Sequence, residues 1–201
     1  MFNRAIRAAV LCFVVLASGC ATTTDRIDLA YTPQIAPPIV PGASGVTVSV
    51  QVIDDRQDKT KVSSKKNGYG MEMAPIIANE DVSITIRKAI ETELGNRGFK
   101  VSVDSALVQV IGDLTRFYND HKTGFFSGDA VADLNLSVNV KSKDGKLLYG
   151  KQIVARGIEP NTQLATGNNA RIALEKALQD GMANLFGDNE FIAALTSVAA
   201  K

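Results

Sequence analysis

The sequence predicts an α+β fold: a two-layer sandwich in the order β-α-β-β-β-β-α, with two helices packed on one face of a largely antiparallel sheet. Three observations predict it. Val46, Val48, Val50 and Val52 alternate with Thr47, Ser49 and Gln51, the period of two of a strand with one buried face. Two other segments, one mid-chain and one near the end, repeat their apolar residues at helical spacing. Between them run several strand-like stretches separated by turn residues, which favours antiparallel pairing.

The first strand ends at Asp54-Asp55-Arg56, residue types suited to a turn and a local ion pair. Residues 57–79 read as a long polar loop holding Gly68-Tyr69-Gly70 and Pro75. Its Lys59, Lys61, Lys65 and Lys66 stand among Asp58 and Ser63, as on a solvated loop. The first helix follows from Val82, Ile86, Ala89, Ile90 and Leu94 on one stripe, with Arg87, Lys88, Glu91 and Glu93 mostly opposite. Asn79 or Asp81 caps its start, and Gly95 or Gly98 closes its end. A short strand fits residues 99–103; paired in parallel with the first, it needs a right-handed crossover.

Three longer strands are expected over 107–118, 130–140 and 147–155. Lys143-Asp144-Gly145-Lys146 joins the last two, because Asp-Gly adopts positive φ at little cost. The final helix runs over about 169–186 and buries Ala170, Leu174, Ala177, Leu178, Met182 and Leu185. Asp188-Asn189 then restarts the chain into a last helical turn or two over 191–195.

The N-terminus reads differently. Arg4 and Arg7 precede an uncharged apolar run over 8–16, followed by small residues. This is a secretory signal pattern, too short for a spanning helix of about 20 apolar residues. Ala17-Ser18-Gly19-Cys20 resembles the lipobox of bacterial lipoproteins, with Ala17 where Leu is commonest. That resemblance implies cleavage before Cys20, a diacylglycerol on its thiol and an acyl chain on the new amine. Cys12 lies in the segment removed, so Cys20 is the sole cysteine of the mature chain. The alternative is an ordinary signal peptide that leaves a free thiol, a liability in an oxidising compartment. Ala21 is not the Asp that retains such proteins at the inner membrane of enteric-type bacteria, so outer-membrane sorting is expected.

Three regions result: a leader over 1–19, a lipidated Cys20 with a Pro-rich tether over 20–45, and one α+β domain over 46–201. Four of six prolines, Pro33, Pro37, Pro38 and Pro41, fall in the tether. Its apolar residues, Ile27, Leu29, Tyr31 and Ile35 among them, suit contact with the domain surface. The chain's 201 residues, 45% hydrophobic and 21% charged, suit a single core. A net charge of +1 without a basic stripe argues against a nucleic-acid partner.

The lipobox, the tether, Gly45-Val46-Thr47-Val48-Ser49-Val50, Asp55-Arg56 and Glu190-Phe191-Ile192 are collinear over nearly the whole chain. Together they resemble the YajG family of bacterial lipoproteins. The resemblance implies a Gram-negative envelope lipoprotein and carries over no catalytic residue. The loop holding Tyr69 is longer than the resemblance leads one to expect.

Chemistry-bearing motifs are sparse. His121, the only histidine, reads as an exposed residue at a polar hairpin end. No Ser sits in a nucleophile elbow for it to serve. One His and no free Cys do not make a soft-metal site, and Asp54, Asp55 and Asp58 lack Ca²⁺-loop spacing. No cofactor is expected beyond the lipid on Cys20. Phe125-Phe126, flanked by Gly124 and Ser127-Gly128, stand out as a contact for a partner or a lipid surface; rings folded back over the sheet edge are the competing reading. The sequence therefore leads to a non-enzymatic envelope protein that binds an envelope protein or peptidoglycan. The alternative is a small cell-wall or lipid hydrolase using carboxylates distant in sequence, for which two acids of raised pKa in one pocket are required.

Overall fold

The alternating valines form a strand because their β-branched side chains fill the pleated inner surface, with Val48 and Val50 buried. The computed structural model describes residues 22–123 and 127–198. It contains β1 (Asp25–Ile27), β2 (Thr47–Asp54), β3 (Ser63–Lys66), β4 (Glu72–Ala78), α1 (Val82–Asn96), β5 (Lys100–Val101), β6 (Val108–Thr123), β7 (Gly128–Ser142), β8 (Leu147–Thr162), α2 (Gly167–Phe186) and α3 (Asn189–Thr196). The main sheet has the order β5-β2-β6-β7-β8. β2 pairs in parallel with both β5 and β6, while β6, β7 and β8 form an antiparallel set. The fold is α+β, as expected.

Both long helices cover one face of that sheet. On α1, Ile86, Ala89, Ile90 and Leu94 are fully buried. Asp81 caps it by accepting from Ser83 N at 2.9 Å, and Gly98, at φ +92°, follows its end. On α2, Ala170, Ala173, Leu174, Ala177, Leu178 and Met182 are buried. Its small residues allow a close approach: a Cβ on Gly181 would lie 2.4 Å from Leu134 Cδ2. α3 closes one end with Phe191, whose ring meets Phe186 edge-on at 5.3 Å and Tyr149 at 5.5 Å.

β8 is an edge strand, and α2 covers part of its outward backbone. Lys176 Nζ donates to Ile158 O at 2.9 Å, Asn184 Nδ2 to Val154 O at 3.3 Å, and Arg156 N donates to Asp180 Oδ2 at 3.4 Å. Residues 176, 180 and 184 lie one helical turn apart, so one helix face satisfies alternate positions of the edge.

The structure departs from the expected loop at 57–79. That stretch carries β3 and β4, which join β1 in a second sheet of order β1-β4-β3. β3 pairs antiparallel with β4, and β1 pairs parallel with it. The strand signal was hidden because the buried side chains of β3 are Ser63, Ser64 and Lys65, and because Pro75 lies within β4.

Part of the Pro-rich stretch lies along the domain: Leu29, Tyr31 and Val40 pack on the core, whereas Ile35, also expected to make contact, is 98% exposed. Ile27 is buried, and Val40 N donates to Arg97 O at 3.0 Å. Tyr31 donates its hydroxyl proton to Glu93 Oε1 at 2.5 Å, and Gln34 N donates to the same oxygen at 2.9 Å. Arg97 binds both Glu93 and Gln34 Oε1. Residues ahead of Val46, from β1 onward, therefore take part in the packed unit.

Candidate functional site

The loop that follows β2 is flanked by clefts. Arg56 is 7% exposed and folds back on Asp54 as a two-pronged pair, Nε to Oδ1 at 3.0 Å and Nη2 to Oδ2 at 2.9 Å. Its remaining donors reach the carbonyls of Lys61 at 3.2 Å and Phe117 at 3.4 Å. The expected turn and ion pair at Asp54-Asp55-Arg56 are thus present, and Arg56 also ties the 55–62 loop to β6. Burial pushes the Asp54 carboxyl up, but its hydrogen bonds from Arg56 outweigh that and hold it below the ordinary value.

A cleft lies on each side of this loop. The first, of about 350 Å³, lies between Lys59, Lys61 and the Glu80-Asp81 start of α1, with Ile77 and Val82 at its base. The second, of about 460 Å³, lies between Gln57, Asp58 and Lys61 on the loop and Arg116, Tyr118 and Asn135 on the sheet. A register shift between Leu114 and Arg116 re-aims β6 at this point. It places Arg116 6.0 Å from the Tyr118 ring centroid and 3.3 Å from Asp133 Oδ2.

Several charged groups of the clefts are paired. Lys61 Nζ meets Glu72 Oε2 at 2.5 Å, and that bond raises the Lys61 pKa while lowering that of Glu72. Asp58 accepts from Thr60 N at 2.9 Å and from Thr60 Oγ1 at 2.5 Å, which lowers its carboxyl. Lys88 lowers Glu80 in the same way. The chemistry on offer is a polar cradle, with Lys61 and Arg116 able to share an anionic group and Tyr118 to flank a flat one.

Several residues singled out in the sequence lie elsewhere. Lys65 and Lys66 were expected on a solvated loop; they sit on β3 and pair with Asp25 at 2.7 Å and Asp120 at 2.5 Å. His121 was expected in an exposed hairpin end. It is instead 8% exposed, because β6 continues past it to Thr123 and packs it against Thr162, whose Oγ1 lies 3.3 Å from Nδ1. Burial pushes its pKa down, Lys66 adds to that, and Asp120 and Asp129 oppose it. Cys20, Phe125 and Phe126 lie outside the described residues. Among the described residues, no three or more His, Cys, Asp or Glu side chains group as metal ligands, and no helix is long and apolar enough to cross a membrane.

Sequence reasoning missed the clefts. Their walls come from the loop, β4 and a register shift in β6, none of which has a residue pattern that periodicity detects. Asp55-Arg56 was the available signal, since an Arg two residues after a strand-ending Asp is placed to fold back on it.

A family model described as "Uncharacterized lipoprotein" matches residues 33–196. The chain belongs to that family. The match agrees with the YajG resemblance read from its motifs. No curated protein matches this lipoprotein. Among solved structures, a protein from Xanthomonas campestris shares its fold with a TM-score of 0.61 at 13% identity, over 85% of this chain and 99% of that one. A minor lipoprotein from Acinetobacter baumannii matches over 70% of this chain and 92% of its own, at 9% identity and a TM-score of 0.39.

Proposed function

We propose that this lipoprotein is acylated on Cys20, held at the periplasmic face of the outer membrane, and binds another envelope component without catalysing a reaction. The observation that carries the reading is the state of the cleft side chains. Arg56, Lys61 and Arg116 are each held by a carboxylate partner, and Asp54, Asp58 and Glu80 are all kept low in pKa. A hydrolase built on distant carboxylates needs a general acid whose pKa is raised toward neutrality. Preformed ion pairs around a shallow polar cleft suit recognition, because they keep rigid donors in place for a carboxylate-bearing ligand. Such carboxylates occur on acidic protein segments and on the peptides of peptidoglycan.

Outer-membrane placement is supported by Ala21, which lacks the retention signal of an Asp at that position. Phe125 and Phe126 serve as a second contact in this reading. They connect the end of β6 to the start of β7, at the opposite end of β6 from Val108.

The test is photo-crosslinking in living cells from Gln57, which lines the second cleft, with Gln152 on the main sheet as comparison. One envelope protein or peptidoglycan fragment recovered from position 57 and not from 152 is expected. Recovery of nothing from position 57 overturns the binding role. Recovery of the mature chain with an unmodified Cys20 overturns the anchor.

A further inference from the structure

We propose that the β3–β4 hairpin tip is a membrane contact, so that the domain rests on the bilayer that carries its lipid. The proposal rests on the anchor reading above and adds which end of the domain faces the lipid. The tip is Asn67-Gly68-Tyr69-Gly70-Met71 and carries no charge. Tyr69 is 91% exposed and Met71 59%. Met73, just beyond the turn on β4, is also exposed.

Chain direction points this tip at the anchor. β1 runs parallel to β4, with Asp25 level with Ile76 and Ile27 level with Ala78. Going back along the chain from Asp25 therefore leads down β4 toward the hairpin turn. Lys65 fixes that course: its Nζ lies 2.7 Å from Asp25 Oδ1 and 3.5 Å from Thr23 Oγ1, and Lys65 itself is level with Ala74. Thr22 is two residues from Cys20, a reach of at most about 7 Å of extended chain. The acyl chains are thus confined to the neighbourhood of the tip.

The tip is also built to enter an interface cheaply. A backbone group without a partner is costly where water is scarce. Here Asn67 Oδ1 accepts from Tyr69 N and Met71 N, both at 3.0 Å, Gly70 N donates to Asn67 O at 2.9 Å, and Asn67 N donates to Met71 O at 3.0 Å. The charges at its base are paired, Lys61 with Glu72 and Lys66 with Asp120. Tyrosine suits the boundary between headgroups and acyl chains, where its ring is buried and its hydroxyl stays wet.

The chain has no tryptophan, so one introduced indole reports alone. The test uses the full-length lipidated protein in vesicles of phosphatidylethanolamine and phosphatidylglycerol, with or without brominated acyl chains. Tyr69→Trp carries the probe at the tip. Val103→Trp carries it at the opposite end of the main sheet, since β5 pairs with the start of β2 and Val48 is level with Val108. The sixteen residues of β6 span roughly 50 Å, well beyond the depth of an interface. The expected result is a blue-shifted emission from position 69, quenched about two-fold or more by brominated lipid, with position 103 unaffected. Unquenched emission from position 69 in protein that floats with the vesicles overturns the proposal and leaves the anchor standing. Equal quenching at both positions overturns it too. Protein that does not float overturns the anchor reading and this proposal together. Met71→Trp repeats the measurement if the first variant melts differently from the wild type.

Discussion

Gly157 of β8 lies directly against Ala173 of α2: a Cβ on Gly157 would stand 2.0 Å from the Ala173 carbonyl oxygen and 2.4 Å from Ala177 N. The obstacle is helix backbone, which no rotamer change relieves. This contact sets the distance at which α2 rides on the sheet edge. It also brings Lys176, Asp180 and Asn184 within reach of the outward backbone groups of β8.

Gly157→Ala should therefore displace α2 and destabilise the domain by about 2–3 kcal/mol, the cost typical of overpacking. For a chain of this size the melting temperature falls by roughly 5–10 °C. Gly68→Ala is the matched comparison, because nothing lies within 4 Å of its Cβ. It should stay within about 0.5 kcal/mol of wild type. Thermal melts of both variants check the contrast; equal melting temperatures would show that the helix–strand approach does not matter.

The Asp54–Arg56 pair makes a second prediction, with a pH signature. Arg56→Met leaves the Asp54 carboxylate only 11% exposed and without its cation, a loss of about 3 kcal/mol. The Asp54 carboxyl is held below its ordinary value of 3.8 when folded. A depressed carboxyl adds stability that is fully present above its ordinary value and is lost as pH falls through the folded one. Urea midpoints at pH 7 and pH 3 should therefore differ less in Arg56→Met than in wild type. An undiminished difference would assign the acid sensitivity to other carboxylates. The 57–62 loop should also become protease-sensitive in the variant, since Arg56 no longer holds the Lys61 and Phe117 carbonyls.

His121 gives a cleaner titration because the chain has a single histidine. Burial lowers its pKa from 6.5, so the folded protein keeps the imidazole neutral while the unfolded chain still binds a proton. Stability should then rise with pH up through 6.5, and fall on acidification toward the folded value. One imidazole proton resonance followed by NMR should show a midpoint below 6.5. A midpoint above 6.5 would mean that Asp120 and Asp129 dominate over burial.

Much of the architecture was legible because it rests on side-chain period. Both helix stripes, the β2 valines, the Asp144-Gly145 turn and the restart at Asp188 follow from local physics. Gly145 takes φ +84°, and Asp188 accepts from Glu190 N at 2.9 Å. What was illegible rests on partners distant in the chain. Ser63 Oγ donates to Asn119 O at 2.8 Å and Asn119 Nδ2 donates to Ser63 Oγ at 2.9 Å, so β3 is held by polar contacts with a residue 56 positions away. No hydrophobic period announces such a strand. The same holds for β1, whose pairing depends on β4, and for the clefts, whose walls meet only after folding. The parallel placement of β2 beside β6 was equally hidden, since periodicity says nothing about which strand is a neighbour.

The aromatic pair at the β6–β7 connection supplies the last prediction. Thr123 is level with Gly128 at the end of the ladder, so residues 124–127 join two strands that end together. If Phe125 and Phe126 are contact residues, changing both to Ser removes apolar area from the complex and leaves the folded domain alone. The amount of partner crosslinked in cells should then fall about ten-fold or more, the loss expected when one or two anchoring aromatics are truncated. The melting temperature of the isolated protein should move by no more than about 2 °C, as for a surface substitution. A drop of roughly 10 °C or more would instead match the loss of buried aromatic side chains and place the rings in the core. Unchanged crosslinking with an unchanged melting temperature would remove the pair from the contact surface and leave the clefts beside Arg56 as the binding site.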